Sequence, residues 1–168
     1  MLKLYNSYKK LIGGMGKALD LITILLMLAM VAVVFYQVIM RQIFERPPIW
    51  GEEVAVTFMV WFVFLGIVLG LEEDLHIGIT MFVDKLPRKV QFAIEILVNL
   101  LILALAILLL VYGYQFASRM FGFGTALPAT GIPAATHYAV VPITGALMIL
   151  VTLGKIAGQL INRKELSQ

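Results

Sequence analysis

Few residues in this chain could do chemistry, and their spacing decides what kind. There is no cysteine, which removes disulfides and thiolate metal sites. The two histidines, His76 and His137, are separated by an apolar run, residues 90–114, long enough to cross a bilayer. They therefore fall on opposite sides and cannot share a metal ion or form one acid–base pair. Glu72, Glu73 and Asp74 form the densest carboxylate group. They stand at the end of an apolar segment, where acidic side chains oppose the helix dipole. Pairing with Lys85, Arg88 or Lys89 is the economical reading, and a metal site is the alternative. Glu95 is the only ionisable residue well inside an apolar segment. About one turn in, it can snorkel back to water. No catalytic residue, metal ligand or cofactor site is assigned.

The elements that carry these residues are membrane spans. Hydrophobic residues make up 61% of the 168 residues and charged residues 14%, against about 45–50% and 25% in soluble domains. The excess is concentrated in four runs, residues 19–40, 54–71, 90–114 and 138–156. At 1.5 Å per residue these cover about 27–37 Å, enough for a hydrocarbon layer of about 30 Å. Lone strands cannot satisfy their backbone groups in lipid, so helices are expected. The fold class is all-α, a polytopic membrane protein with four transmembrane helices in one domain, residues 1–168. The first run is too long for the apolar core of a signal peptide and ends at Arg41 without a small-x-small site, so it reads as a retained helix.

Basic residues set the orientation. Lys3, Lys9, Lys10 and Lys17 precede the first span, Lys85, Arg88 and Lys89 lie between the second and third, and Lys155, Arg163 and Lys164 are at the end. The other two loops hold only Arg41, Arg46 and Arg119. This bias predicts both termini in the cytoplasm. The net charge of +3 is small and sits at span ends, which suits topology and anionic lipid and does not suggest a nucleic-acid surface.

Two stretches read as interfacial helices on the cytoplasmic side. Leu4, Tyr5, Tyr8, Leu11, Ile12 and Met15 form an apolar stripe, with Lys9, Lys10 and Lys17 off it as lipid contacts. Gly13, Gly14 and Gly16 would then make a hinge. A shorter stripe, Ile79, Phe82, Val83 and Leu86, ends at Pro87. On the outer side, Pro47 and Pro48 make an extended turn, Trp50 marks the water interface, and Glu52 and Glu53 complement the dipole of the second helix. Residues 118–137 have the Gly, Pro and Thr content of an irregular loop, and Pro142 is a candidate kink in the fourth span.

For packing, the spans offer Gly66 and Gly70 in one G-x-x-x-G, and Gly154 and Gly158 in another. Small residues let helices approach, either within the chain or toward a partner. Gln37 with Arg41, and Glu95 with Asn99, add polar pairs that can bond across helices. A self-assembling four-helix channel or exporter is the alternative reading, and it would need polar residues lining a shared axis.

From Arg41 to Pro87 a series of motifs occurs in a definite order. Trp50, Glu52 and Glu53 form W-x-E-E; Trp61 to Gly66 reads W-x-x-x-L-G; His76 and Ile77 lead to Asp84, Leu86 and Pro87. The stretch resembles the small membrane subunit of TRAP (tripartite ATP-independent periplasmic) transporters, and is most similar to the sialic-acid branch. The usual H-I-x-V-D continuation is altered here to H-I-G-I-T. The resemblance implies two protein partners: a large permease subunit holding the sodium and substrate sites, and a periplasmic binding protein that delivers a small carboxylate. Sialic acid comes first as substrate and a C4-dicarboxylate second. It further implies a bracing role for this subunit in the inner membrane, with outer loops helping to dock the binding protein. Arg41, Trp50, Glu52, Glu53, Trp61, Gly66, Gly70 and His76 would serve structure and subunit contact.

Overall fold

The computed structural model describes residues 2–73 and 87–165. Helix α1, Leu2–Ile43, contains no proline and runs unbroken. The expected hinge at Gly13, Gly14 and Gly16 is absent. Packing offsets the weak helix propensity of glycine: Gly16 is buried beneath the Glu72 carboxylate, and Ile12 and Met15 pack against the core. The arm that carries Lys9 and Lys10 is thus continuous with the first span. The second expected interfacial helix, residues 79–86, lies outside the described residues.

α1 ends where Arg46 N–H bonds to the Met40 carbonyl at 3.2 Å across Glu45, whose φ is 54°. This is the left-handed termination that usually employs glycine. Pro48, extended at φ −70° and ψ 120°, then starts α2, Ile49–Glu72. α3 covers Arg88–Gly122, and the short α4 covers Ala134–Tyr138. α5 covers Val140–Glu165. The expected kink at Pro142 appears as a break at Ala139, one turn earlier. Proline has no N–H for the Tyr138 carbonyl and its ring crowds that group, so the helix restarts with Pro142 in its first turn. Four helical stretches, Ile12–Ile43, Ile49–Glu72, Val90–Gly122 and Ala134–Gln159, are long and apolar enough to cross a membrane.

The helices stand in the spatial order α1, α2, α5, α3. The most extensive contacts are α3 with α5 and α1 with α2; α2 and α5 join the two pairs, and α1 and α3 do not touch among the described residues. Burial follows this order: 33% of the most apolar stretch of the fourth span is buried, against 11% in the first and third. The core gathers Leu19, Leu65, Val68, Leu71, Ala106, Val140, Met148 and Val151.

Lipid is as apolar as leucine, so close approach and polar ties must hold such helices together. Two backbones approach closely between α3 and α5. A Cβ on Gly145 would stand 2.6 Å from the Leu110 nitrogen and 2.8 Å from the Ala106 carbonyl oxygen. A Cβ on Gly113 would stand 2.8 Å from Val141 Cγ1. Gly66 has nothing within 4 Å of the same point, so the described chain does not use it for close packing. Thr144 and Thr152 are fully buried on α5, and their hydroxyls have no hydrogen-bond partner.

These contacts predict opposite outcomes for similar changes. Gly145→Ala forces two backbones apart and is expected to cost about 1–3 kcal/mol, whereas Gly66→Ala is neutral or stabilises by up to about 1 kcal/mol through helix propensity. Thr152→Val removes an unpaired hydroxyl at nearly constant shape and is neutral or stabilising. Thermal unfolding in mild detergent measures all three.

Candidate functional site

Arg41, Trp50, Glu52 and Glu53, four of the residues singled out from the sequence, lie at the end of the row where α1 turns into α2. Glu53, one turn into α2, is the centre of this cluster. Its carboxylate accepts hydrogen bonds from Ala129 N–H at 2.8 Å, Thr130 N–H at 3.0 Å and the Thr130 hydroxyl at 2.9 Å. The carboxylate is thus held by the loop after α3, not by the first amides of its own helix. Two adjacent amides and a hydroxyl aimed at one carboxylate form a concave anion-binding nest.

That loop is ordered despite its turn-rich composition. Leu127 N–H bonds to the Ile132 carbonyl at 2.8 Å, Gly131 N–H to the Leu127 carbonyl at 2.9 Å, and Ala134 N–H to the Thr125 carbonyl at 2.8 Å. Ala126 and Pro133 form an isolated antiparallel bridge. Gly124 and Gly131 provide the left-handed backbone at φ 60° and 71° that such a tight fold requires.

Further ties join α2 to α4. Trp61 Nε1–H donates to the Thr136 carbonyl at 3.2 Å. Thr57 donates its hydroxyl proton to the Glu53 carbonyl at 2.8 Å and stands 3.1 Å from His137 Nδ1. On the other flank Trp50 stacks on Tyr36 of α1, ring centroids 6.0 Å apart at 24°. The Gln37 side chain lies over Gly51. A depression of about 460 Å³ opens beside the loop, lined in part by Ile49, Glu52, Val56 and His137.

The arrangement anchors chain to chain. The loop occupies both Glu53 oxygens, and among the described residues no group of three His, Asp or Glu side chains is placed to hold a metal ion. Arg41 and Glu52 are exposed nearby, Trp50 is part of the turn, and Trp61 is partly buried. Gly66 and Gly70 lie farther along α2, and Lys17 is exposed at the opposite end. His76 and Asp84 lie outside the described residues, as does Lys85; the Arg88 and Lys89 side chains are likewise not described, so the expected pairing of Glu72 with these bases is not on view. Glu72 instead has Lys155 of α5 as an oppositely charged neighbour. At that end Asn99 Nδ2–H donates to Gln159 Oε1 at 3.2 Å, and Gln159 Nε2–H donates to Glu95 Oε2 at 3.3 Å. The polar pair on α3 is thus bridged by a residue that sequence reading did not select. Ala129 and Thr130 were also missed, because backbone donors leave no mark in residue type.

If Glu53 staples the loop, Glu53→Gln replaces one acceptor oxygen with an amide that faces donors. The amides of Ala129 and Thr130 are then expected to exchange with deuterium roughly tenfold faster or more, while those in the middle of α2 keep their rates.

Comparison with known proteins bears on the same residues. The family model for "Tripartite ATP-independent periplasmic transporters, DctQ component" matches residues 30–162. The chain is 30% identical over 137 residues to the sialic acid TRAP transporter small permease protein SiaQ of Vibrio cholerae, covering 82% of this chain and 78% of that protein. It is 29% identical over 140 residues to a putative TRAP transporter small permease protein of Haemophilus influenzae, covering 82% and 85%. It is also 25% identical over 139 residues to the isethionate TRAP transporter permease protein DctMQ of Oleidesulfovibrio alaskensis, covering 79% of this chain but 22% of that longer one. The matched region takes in the end of the first span, the other three spans, both tryptophans and the stapled loop, so the chain belongs to the DctQ family of small TRAP transporter permease subunits and is a multi-pass protein of the inner membrane.

Proposed function

We propose that this chain is the non-conducting membrane subunit of a sodium-coupled TRAP importer for a small carboxylate. Sialic acid is the first candidate substrate, from the relative in Vibrio cholerae, and a C4-dicarboxylate the next. Its work is to brace the large permease subunit. One observation carries this reading: the buried polar residues among those described are Thr23, Asn99, Thr144 and Thr152, none of them ionisable. A subunit that moved sodium or a carboxylate through its own spans would need charged or broken-helix sites at mid-membrane. The open row of helices supports the same reading, because α1 and α3 do not meet to close an axis. No observation favours a self-assembling channel or exporter.

The partner follows from the relative in which a region like this chain is part of one longer permease polypeptide. In this proposal the Glu53 end faces the periplasm, as the lysine and arginine bias requires, and the stapled loop and Trp50 turn are available to the binding protein. Arg41, Glu52 and the α2 glycines serve subunit contact. Lys9, Lys10 and Lys17 meet anionic headgroups on the cytoplasmic side.

Two measurements test the proposal. A tagged chain expressed with its own large permease is expected to bring that permease down in mild detergent, and proteoliposomes holding the chain alone are expected to show no solute uptake under a sodium gradient. Uptake by the isolated chain would overturn the reading. Because the sequence has no cysteine, Ala126→Cys can report orientation without background. A membrane-impermeant thiol reagent is expected to label it from the periplasmic side.

A further inference from the structure

α2 is an inner helix of the row, yet one stripe of it is uncovered. Ile49, Glu52, Val56, Met59, Val63 and Ile67 recur at three- and four-residue steps and are all exposed. That spacing puts them on one helical face. Ile49 is 84% exposed, and the four apolar residues that follow Glu52 are 39–46% exposed. Gly66 adjoins the stripe with open space over its Cα. At the other end, Glu52 and Ile49 line the depression beside the stapled loop.

Lipid tails could cover such a face, as they can the outer helices, but three features set α2 apart. The first is relief. The exposed faces of α1 and α3 mix small residues such as Ala32 and Ala104 with Phe35, Leu101, Leu105 and Tyr112, and their open glycines, among the described residues, lie only near the helix ends. The middle of the α2 stripe has valine, methionine, isoleucine and an open glycine, where a second backbone can come close. The second is charge, because an exposed carboxylate at Glu52 tops the apolar stripe and a cationic side chain would complement it. The third is the covalent union, in one relative, of a region like this chain with a much longer permease, which places a polytopic neighbour in the same bilayer.

We infer that the α2 face from Glu52 to Ile67 seats a transmembrane helix of the large permease subunit, with that helix's backbone closing on Gly66 and a lysine or arginine from it meeting Glu52. The inference rests on the proposed subunit role and names the surface through which that role is exercised.

Matched substitutions on three faces test it. Gly66→Trp on α2, Ala32→Trp on α1 and Ala104→Trp on α3 each place the same bulk at a site with room for it. Each tagged variant is co-expressed with the large permease and captured. Gly66→Trp is expected to bring down roughly tenfold less permease per small subunit, a loss of about 1.4 kcal/mol in association, and the other two to stay within about twofold. Should Gly66→Trp not fold, as judged by its unfolding midpoint when expressed alone, Val63→Cys carrying a thiol-linked photo-cross-linker reads the same contact in an otherwise intact complex. Cross-linking to the permease supports the inference. Capture of only lipid or a second copy of this chain overturns it, as does full retention of the permease by a folded Gly66→Trp or its selective loss with Ala32→Trp or Ala104→Trp. Failure of the unmodified chain to capture any permease overturns the subunit role itself.

Discussion

Hydrocarbon does not drive helices together, and that constraint shapes everything else in this molecule. In water, burial of leucine would hold a bundle together; in lipid, leucine against leucine differs little from leucine against an acyl chain. Cohesion has to come from backbones that approach closely and from polar groups that have no better partner. Both occur where α3 meets α5. Gly145 admits the backbone of α3 directly, and Gln159 links Asn99 to Glu95 at one end of the same interface.

The other end of the row is fastened differently. There Glu53 reaches across to the loop after α3 and satisfies two amides and a hydroxyl at once, while Trp61 and Thr57 tie α2 to α4. The two helix pairs, which meet through α2 and α5 and to a lesser extent through α1 and α5, are thereby cross-linked at a rim. In the proposed bracing role, a plate clamped at its edge keeps its shape while its broad faces stay available to a neighbour. The described core has no buried charge.

How much of this was legible beforehand depended on whether the signal resided in side chains. The four spans were evident because hydropathy is a property of residue type, and Trp50, Glu52, Glu53 and Trp61 were visible as an ordered motif. What Glu53 binds was not visible, since amide donors in a loop have no sequence signature and the Gly-, Pro- and Thr-rich composition of residues 118–137 suggested irregularity. The glycines show the same limit. Gly66 stands out by its G-x-x-x-G spacing, yet among the described residues nothing lies within 4 Å of where its Cβ would stand, whereas Gly145 meets the backbone of α3 without belonging to any motif. Pairwise fit depends on what lies opposite, which one strand of sequence does not state. The supposed hinge at Gly13, Gly14 and Gly16 failed for the same reason: local flexibility was judged without the partner surface that Glu72 and the core supply.

The unbroken α1 has a mechanical consequence. Its 42 residues make a rod of about 63 Å, roughly twice the depth of the apolar layer, so a long segment projects beyond the body of the protein. With Ile12, Met15 and Gly16 gripped by the rest of the chain, rod and body rotate together. A rocking of the body by about ten degrees would sweep the far tip through about 3 Å over the roughly 15 Å of helix that precede Ile12. A load applied to that tip is therefore passed to the whole row, because no joint lies between them to absorb it.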